Sequence, residues 1–292
     1  MSVSRMKEPP DRRCSLLVLS CDAYRDLWPP FFNILQRHWP DCPFPIYLGA
    51  GDCSVADEGV TTLSSPAGKD WSSCVLDYLT RIPTDYVLVM LDDFFLRKRV
   101  KNAMINRCLA FAQKFDAYQL RLIPRPGPTK KIAGERSIGL LEPGSRYRIS
   151  AQAAIWNRLA LMRLLRPGET AWEFENNAAE RVYSDFTKHY AVWRAVLPYE
   201  GFLAHHVIEK GRWLPHEKWI FGRQNIGCDF SDRATLGWGQ TFQCHLAGVI
   251  AGGLRLLPPA WGESLRLLIR RIAGRVAPQL LARLGGVRGK PQ

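Results

Sequence analysis

Two adjacent aspartates, Asp92 and Asp93, directly follow the apolar run Tyr86–Leu91. A run of this kind is typical of a strand buried on both faces of a parallel sheet. Two neighbouring carboxylates at its end repel each other and lose hydration, so they need a cation, a basic side chain or water. Because open α/β sheets bind ligands at the carboxyl ends of their strands, the pair predicts a metal–nucleotide site.

The elements that must position these aspartates alternate between strand and helix. Apolar runs and helical spacing predict strand 15–20, helix 27–39, strands 44–48 and 60–63, helix 71–82 and strand 86–91. This order indicates an α/β fold with a mostly parallel, doubly wound sheet. Beyond it we expect helix 102–114, strand 117–123, a mobile loop over 125–134, strand 147–155, helices 156–165 and 171–182, and strands 195–197 and 202–207.

Composition and charge narrow the function classes. The chain has 292 residues, of which 47% are hydrophobic, enough for one large domain with a substantial core, or for one domain plus an appendage. The formal charge is +13, which suggests anionic partners such as nucleotides or acidic lipid. Residues 246–292 hold eight basic residues against one acid, Glu263, so the rest of the chain is only mildly basic. With no zinc-finger or helix-turn-helix signature either, we expect no nucleic-acid partner.

The C-terminal segment 246–292 has its own pattern. Leu265, Leu268, Ile269, Ile272 and Val276 share one helical face, and arginines flank that face. An apolar face edged by arginines suits basic amphipathic helices at a membrane surface. The alternative is a helix packed on the domain with its arginines in water. No run reaches the roughly 18 apolar residues of a spanning helix.

The N-terminus and the cysteines bear on location. Residues 1–13 are polar and lack the apolar core of a signal peptide, so we expect a disordered leader. The eight cysteines form no Cys-x-x-Cys pair; several lie in apolar runs, although the even count permits disulfides. Together with the basic tail, these features predict a cytoplasmic protein, peripheral on the inner face of the cell membrane.

Several segments, in this order, resemble bacterial glycosyltransferases of the GT-A fold, of the nucleotide-sugar-dependent kind that makes surface polysaccharides. They read SCDAY, DLW, FF, WP and PIYL within 20–48, LDDFF at 91–95, YRIS, Q and IW within 147–156, and WEFE at 172–175. The likeness covers about residues 14 to 220. It implies a GT-A-like α/β catalytic domain, which we place at 14–245, ahead of the basic segment 246–292.

The resemblance also implies a metal. In such enzymes an acidic motif after a buried strand holds Mn²⁺ or Mg²⁺ on the diphosphate of the donor. Here Leu91-Asp92-Asp93 stands where Asp-x-Asp is commoner, so Asp93 is the expected metal ligand and Asp92 would contact the ribose or a metal-bound water. A late histidine often completes the shell, which points to His206. Helix capping for the aspartates and a structural role for the histidine are the alternatives.

Further residues are expected to hold the nucleotide sugar. Asp22 follows the first strand and would contact the base or ribose, or else form a turn. Its neighbours Ser20 and Tyr24 belong to the same matching segment. Lys210 and Arg212 could neutralise the diphosphate.

A carboxylate base is expected at Glu175 or Glu173. Residues two apart do not share a helix face, so only one of them should point into the site. A base must reach the acceptor hydroxyl, and a raised pKa would help it. The resemblance implies an inverting displacement with a single carboxylate base, and we favour Glu175. An acid-rich helix N-terminus, favoured by the macrodipole, is the alternative.

The sequence therefore predicts a metal-dependent glycosyltransferase that moves a sugar from a nucleotide-sugar donor to a polysaccharide or lipid-linked acceptor. A sugar-phosphate nucleotidyltransferase is a weaker alternative, because that class has a Gly-x-Gly-x-x-x-Arg loop after the first strand, where this chain reads Cys21-Asp22-Ala23-Tyr24. A non-catalytic, membrane-associated nucleotide-binding scaffold is the third hypothesis.

Overall fold

The structure is a computed structural model that describes residues 13–241, except 56, 58, 67, 126, 146–147, 184–187 and 200–205. The predicted disordered leader, apart from Arg13, and the predicted amphipathic helices of 246–292 lie outside the described residues. Those that are described form two compact units. One lies within Met1–Gly201 and Asn225–Asp229, and the other within Phe202–Gln224 and Phe230–Gln292.

The first unit contains a large sheet with helices between its strands. In the described residues its strands are β1 Cys14–Leu19, β2 Ile46–Ala50, β3 Val60–Ser64, β4 Tyr86–Leu91, β5 Gln119–Arg121, β6 Lys130–Ile132, β7 Glu135–Leu140, β8 Ala154–Asn157 and β9 His189–Val192. The helices are α1 Trp28–His38, α2 Trp71–Arg81, α3 Asn102–Lys114, α4 Arg158–Leu164 and α5 Ala171–Arg181, with a 3-10 helix over Asp22–Leu27 before α1.

These strands pair in the order β3-β2-β1-β4-β8-β5-β9-β7-β6. Of the strands described, β7 and β8 run opposite to the others. The predicted α/β fold class, with a mostly parallel sheet flanked by helices, is confirmed for this part of the chain.

Strands β1 and β4 lie in the middle of this sheet because their sequences are apolar throughout. Every residue of β1 is buried, and β4 is buried up to Met90. The two strands are parallel and in register, with Leu19 opposite Leu91. Their carboxyl ends therefore finish side by side, which brings the residues after Leu19 next to Asp92.

A core on one face of the sheet fixes helix α5. Trp156 of β8 and Phe174 of α5 belong to one buried cluster with Val75 and Leu79 of α2. The rings of Trp71 and Phe174 are 5.5 Å apart. Fully burying a side chain such as Phe174 stabilises by about 1.5–3 kcal/mol, which anchors the helix that carries Glu173 and Glu175.

Some sequence-based element predictions are wrong. The expected mobile loop 125–134 contains β6, which pairs with β7 as an antiparallel hairpin that the sequence did not predict. Among the described residues of 147–155, strand pairing begins only at Ala154. No strand occupies 195–197; β9 lies earlier, at His189–Val192.

The second unit is smaller. In its described residues, strands β10 Ile208–Glu209 and β11 Arg212–Trp213 pair antiparallel, and helix α6 covers Pro215–Phe221. The predicted strand 202–207 falls mostly on residues outside the description. Over the described residues of both units, no helix is long and apolar enough to cross a membrane.

Candidate active site

The aspartate pair lies where β1 and β4 end. The N–H of Asp92 donates to the carbonyl of Leu19 at 3.3 Å. The hydroxyl of Ser20 donates to Oδ2 of Asp92, and the indole N–H of Trp28 donates to that hydroxyl at 2.7 Å. Asp92 is 6% exposed, so this relay holds a buried carboxylate in a fixed orientation. Asp93, next in the turn, is half-buried.

These carboxylates fit a divalent cation only in part. The described residues contain no group of three or more histidine, cysteine or acidic side chains that could hold a metal. Mg²⁺ commonly takes one or two carboxylates plus substrate phosphates, so a pair at a strand end suffices when a diphosphate supplies the other oxygens. The arrangement suits a metal bound together with its nucleotide.

Asp22 has a structural task in this region. Its carboxylate accepts backbone N–H groups from Gly51 at 3.0 Å, Asp52 at 2.9 Å and Cys53 at 3.3 Å. A Cβ at position 51 would lie 2.5 Å from Oδ2, so glycine is needed for this approach. Burial tends to raise the pKa of Asp22, but the three amides lower it overall. Its contact with a nucleotide stays a prediction.

The neighbours of Asp22 lie beside it in the chain. Tyr24 lies in the 3-10 helix, half-buried, and its backbone N–H donates to the carbonyl of Cys21 at 2.8 Å. The hydroxyl of Ser20 donates its hydrogen bond to Asp92. Whether these side chains touch a donor is likewise still a prediction.

Glu175 is brought to the same edge of the sheet. Because β8 is antiparallel and Ala154 pairs with Val89, the residues before Ala154 extend past the end at which β4 finishes. Two of them hold the carboxylate: Oε1 of Glu175 accepts the N–H of Ala151 at 2.6 Å and the hydroxyl of Ser150 at 3.0 Å. Among the described residues, Oε2 accepts no hydrogen bond.

The electrostatics of Glu175 suit a base. Burial raises its pKa, although the bonds from Ala151 and Ser150 and the charge of Arg121 offset part of that rise. A carboxylate with a raised pKa accepts a proton more readily, which is what general-base catalysis requires. It lies on the first two turns of α5, positioned by the buried Phe174 beside it.

Glu173 has a different environment. Its Oε2 accepts the N–H and the hydroxyl of Thr170, both at 2.9 Å, and its own N–H donates to that hydroxyl. This is a capping box, which satisfies the free N–H groups at the start of a helix. These bonds lower its pKa. Glu173 therefore fits the helix-capping alternative, and the two acids separate as their spacing predicted.

The structure adds polar residues that the sequence did not indicate. Gln119 and Arg121 of β5 are completely buried, as is His189 of β9, which pairs with Gln119. The amide of Gln119 donates to the carbonyl of Ser150 at 2.9 Å. An available signal was the spacing of Gln119 and Arg121, since polar residues two apart share one face of a strand.

His206, Lys210 and Arg212 belong to the second unit. The ring Nε2 of His206 lies 3.0 Å from Oε2 of Glu209. Lys210 and Gly211 both have positive φ angles, 52° and 73°, and form the two-residue turn between β10 and β11. Lys210 and Arg212 are exposed. Their predicted roles at metal and diphosphate remain predictions.

No protein-family model matches the chain, and no curated protein matches it. Solved structures are similar in part. The crystal structure of S. aureus TarS 1–349 shares 14% identity with a TM-score of 0.39, over 61% of this chain and 60% of that one. A longer S. aureus TarS structure gives the same identity and TM-score over 63% and 37%.

The bifunctional IspDF from Campylobacter jejuni matches with 13% identity and a TM-score of 0.35, over 58% of this chain and 47% of that one. The chain thus spans less than two thirds of each of these three proteins.

Proposed function

We propose that the protein is a glycosyltransferase that moves a sugar from a nucleotide-sugar donor to a hydroxyl of a polysaccharide or lipid-linked acceptor. One observation carries the proposal. Glu175, a half-buried carboxylate with a raised pKa, is fixed by Ser150 and Ala151 at the sheet edge where Asp92 and Asp93 follow β4. A base and a diphosphate-binding acidic pair at one edge are what transfer from a nucleotide sugar requires.

The reaction would be a single inverting displacement. Oε2 of Glu175 takes the proton of the acceptor hydroxyl while the hydroxyl oxygen bonds to the anomeric carbon. The bond from that carbon to the diphosphate breaks, and the nucleoside diphosphate leaves with the electron pair. Glu175 then releases its proton to water. General-base assistance of this kind contributes about 10²–10⁴-fold to a rate.

Donor binding would use the acidic pair and its surroundings. Asp93 is the proposed ligand of Mn²⁺ or Mg²⁺, with Asp92 oriented by Ser20 beside it. The ion, when bound, would neutralise charge on the diphosphate. Asp22 and Tyr24 are the proposed nucleotide contacts.

In the second unit, Lys210 and Arg212 are the proposed cations for the diphosphate, and His206 a proposed further metal ligand. The basic segment 246–292 would bring the enzyme to the inner face of the cell membrane, where lipid-linked acceptors lie. The strong excess of basic residues in this segment supports the membrane part of the proposal, since each basic residue near an anionic surface contributes about 1 kcal/mol.

A donor screen tests the proposal. Thermal shift with UDP-, GDP-, CMP- and dTDP-sugars in Mn²⁺ identifies the donor, because a ligand at ~100 times its Kd stabilises by ~2.7 kcal/mol. Release of nucleoside diphosphate from that donor is then followed in wild type and Asp93→Asn. We expect loss in the variant. Pyrophosphate release from a nucleoside triphosphate and a sugar phosphate would instead favour a nucleotidyltransferase, and no nucleotide-sugar binding would favour a scaffold.

A further inference from the structure

Arg121 is a buried arginine whose hydrogen-bonding groups are largely unmet. The residue is 0% exposed, and Nη1 lies 3.5 Å from the carbonyl of Arg125. In the described part of the chain, Nε and Nη2 have no hydrogen-bond partner. Arginine is almost never fully buried unless it is paired, because a charge removed from water is costly. A structural role as a hydrogen-bond donor does not explain this residue.

Arg148 shows what a structural arginine does in the same region. It is 1% exposed, and its Nε donates to the carbonyl of Leu141 at 3.0 Å while Nη1 donates to the carbonyl of Val182. These bonds join the loop before β8 to the end of α5. Arg148 thus holds backbone together, whereas Arg121 does not.

The charge of Arg121 acts on Glu175. Burial lowers the pKa of Arg121 to about 10, so the guanidinium stays charged at neutral pH. Its charge in turn opposes the rise in the pKa of Glu175. The nearby His189 adds no charge, since burial and the charges of Arg148 and Arg121 lower its pKa to about 3. Among the described residues, Arg121 is the charged group whose field lowers the pKa of Glu175.

The backbone places the two groups on connected elements. Arg121 pairs with Ala154 of β8, and the N–H of Leu122 donates to the carbonyl of Ala153 at 2.9 Å. The segment just before those residues holds Glu175. The guanidinium and the carboxylate make no hydrogen bond to each other among the described residues, so Arg121 does not occupy Oε2.

We propose that Arg121 is a positioning residue for Glu175: its buried positive charge holds the side chain in the carboxylate form while leaving Oε2 open to accept a proton. The geometry places Arg121 on the strand next to the segment that holds Glu175, and the use of its charge in deprotonating an acceptor rests on the proposed glycosyl transfer. A direct ion pair would lower the pKa of Glu175 much further and occupy its lone pairs, which would weaken it as a base. A charge held near but out of contact keeps the base ionised and available.

Titration of Glu175 by NMR tests the pairing without any substrate. Protein labelled with ¹³C at the glutamate side-chain carboxyl is titrated as wild type, Arg121→Met and Arg121→Lys, and Glu175→Gln identifies the resonance. The midpoint of Glu175 should move to higher pH in Arg121→Met and stay near the wild-type value in Arg121→Lys. An unchanged midpoint in Arg121→Met overturns the proposal; Arg121→Gln serves as a second neutral variant if the first does not fold.

Arg148 provides the matched control. Arg148→Lys keeps a buried charge but loses the two carbonyl contacts, so its Tm should fall while the midpoint of Glu175 stays. Arg121→Met should have a Tm no lower than wild type, because it removes a buried charge with unmet donors. If the Tm of Arg121→Met falls as far as that of Arg148→Lys, or if Arg148→Lys shifts the midpoint of Glu175 as much as Arg121→Met does, Arg121 is an ordinary structural arginine and the proposal is overturned.

The rate provides the last readout. With the donor found in the screen, the transfer rate of Arg121→Met should fall below wild type at pH values below the variant's NMR midpoint for Glu175 and recover above it. A deficit that is the same at every pH contradicts the inference. A shifted NMR midpoint in a protein that transfers no sugar would leave the pairing intact and refute the proposed function instead.

Discussion

The backbone N–H of Ala151 donates a 2.6 Å hydrogen bond to Oε1 of Glu175, which lies 24 residues later in the sequence. Charge-assisted bonds of this kind are short and about twice as strong as neutral ones. The bond ties the segment just before β8 to helix α5 through Oε1 of Glu175. The orientation of the candidate base is therefore set by backbone, and it should survive changes of neighbouring side chains.

The two acids of α5 should respond differently to the same change. Glu175→Gln keeps the side-chain shape but removes the base, so we expect the transfer rate to fall roughly 10²–10⁴-fold. Glu173→Gln retains a capping box, since glutamine also accepts from the N-cap residue, and should remain near wild type. Initial rates of nucleoside diphosphate release with saturating donor decide between them. Equal losses in both variants would remove Glu175 from the chemistry.

Measurements of stability distinguish the loss of the base in Glu175→Gln from misfolding of the variant. The pKa of Glu175 is raised in the folded state, so the folded protein binds its proton more tightly and loses stability as the pH rises above the unfolded pKa. Replacing Glu175 by glutamine removes that cost. Denaturation at neutral pH should therefore show Glu175→Gln to be no less stable than wild type.

Ser150 should tune the base. Its hydroxyl donates to Glu175 at 3.0 Å and lowers the pKa of that carboxyl against the effect of burial. In Ser150→Ala the pKa should rise further, so the acidic limb of the pH–rate profile moves to higher pH. Ser145→Ala is the control, since among the described residues the Ser145 side chain makes no hydrogen bond. If the acidic limb of the pH–rate profile stays at the wild-type pH in Ser150→Ala as well as in Ser145→Ala, Ser150 does not lower the pKa of the base.

Local patterns in the sequence predict the middle of the sheet well. The bounds predicted for β4 and α3 are those observed, because continuous apolar residues and helical spacing are set by local burial. The proline pair in the first turn of α1 is likewise where the sequence places it. Where burial follows one regular pattern along an element, the sequence of that segment alone predicts whether it is a strand or a helix.

Tertiary pairing explains what the sequence does not reveal. Lys130 and Lys131 are exposed and polar, so their strand is indicated only by its partner β7. Arg121 looks like a surface residue in the sequence, yet it is completely buried on β5, between β8 and β9. For Glu173 and Glu175 the sequence predicts that they diverge, but which of them is bonded by the loop at 150–151 depends on tertiary structure.

Ser20 should affect donor binding through Asp92. In Ser20→Ala the carboxylate loses its hydroxyl donor, and Trp28 loses its acceptor. A lost hydrogen bond to a charged group costs about 1.5–3 kcal/mol, so we expect a donor KM or Mn²⁺ requirement raised about tenfold or more.

Ser15 is the matched control for Ser20. It belongs to β1 and bonds Thr84 at 2.8 Å near the start of that strand. Ser15→Ala should lower stability and leave donor KM unchanged. If both variants raise KM alike, the effect comes from strand β1 as a whole and not from Asp92.

The Glu169–Arg181 pair should make stability depend on acid. Arg181 donates from Nη1 and Nη2 to the two oxygens of Glu169, each at 2.8 Å, and Asn177 donates at 2.9 Å. The bonds from Arg181 are the main cause that lowers the pKa of Glu169 below its ordinary value of 4.5. The contribution is therefore fully present above that value and is lost as the pH falls through the lower, folded pKa. Glu169→Gln should cost about 1–3 kcal/mol at pH 7 and progressively less on acidification.

Denaturant unfolding from pH 7 into the acidic range should be measured for Glu169→Gln and for the control Glu180→Gln, and their free energies of unfolding compared. Glu180 lies on the same helix, is exposed, and makes no side-chain hydrogen bond in the described part of the chain. Its loss should change the free energy of unfolding by no more than about 0.5 kcal/mol at any pH. Glu169 lies just before α5 and Arg181 is its last residue, so the pair holds the helix that carries the candidate base. If Glu169→Gln lowers the free energy of unfolding by the same amount at every pH, the pair acts through packing and its charge contributes nothing.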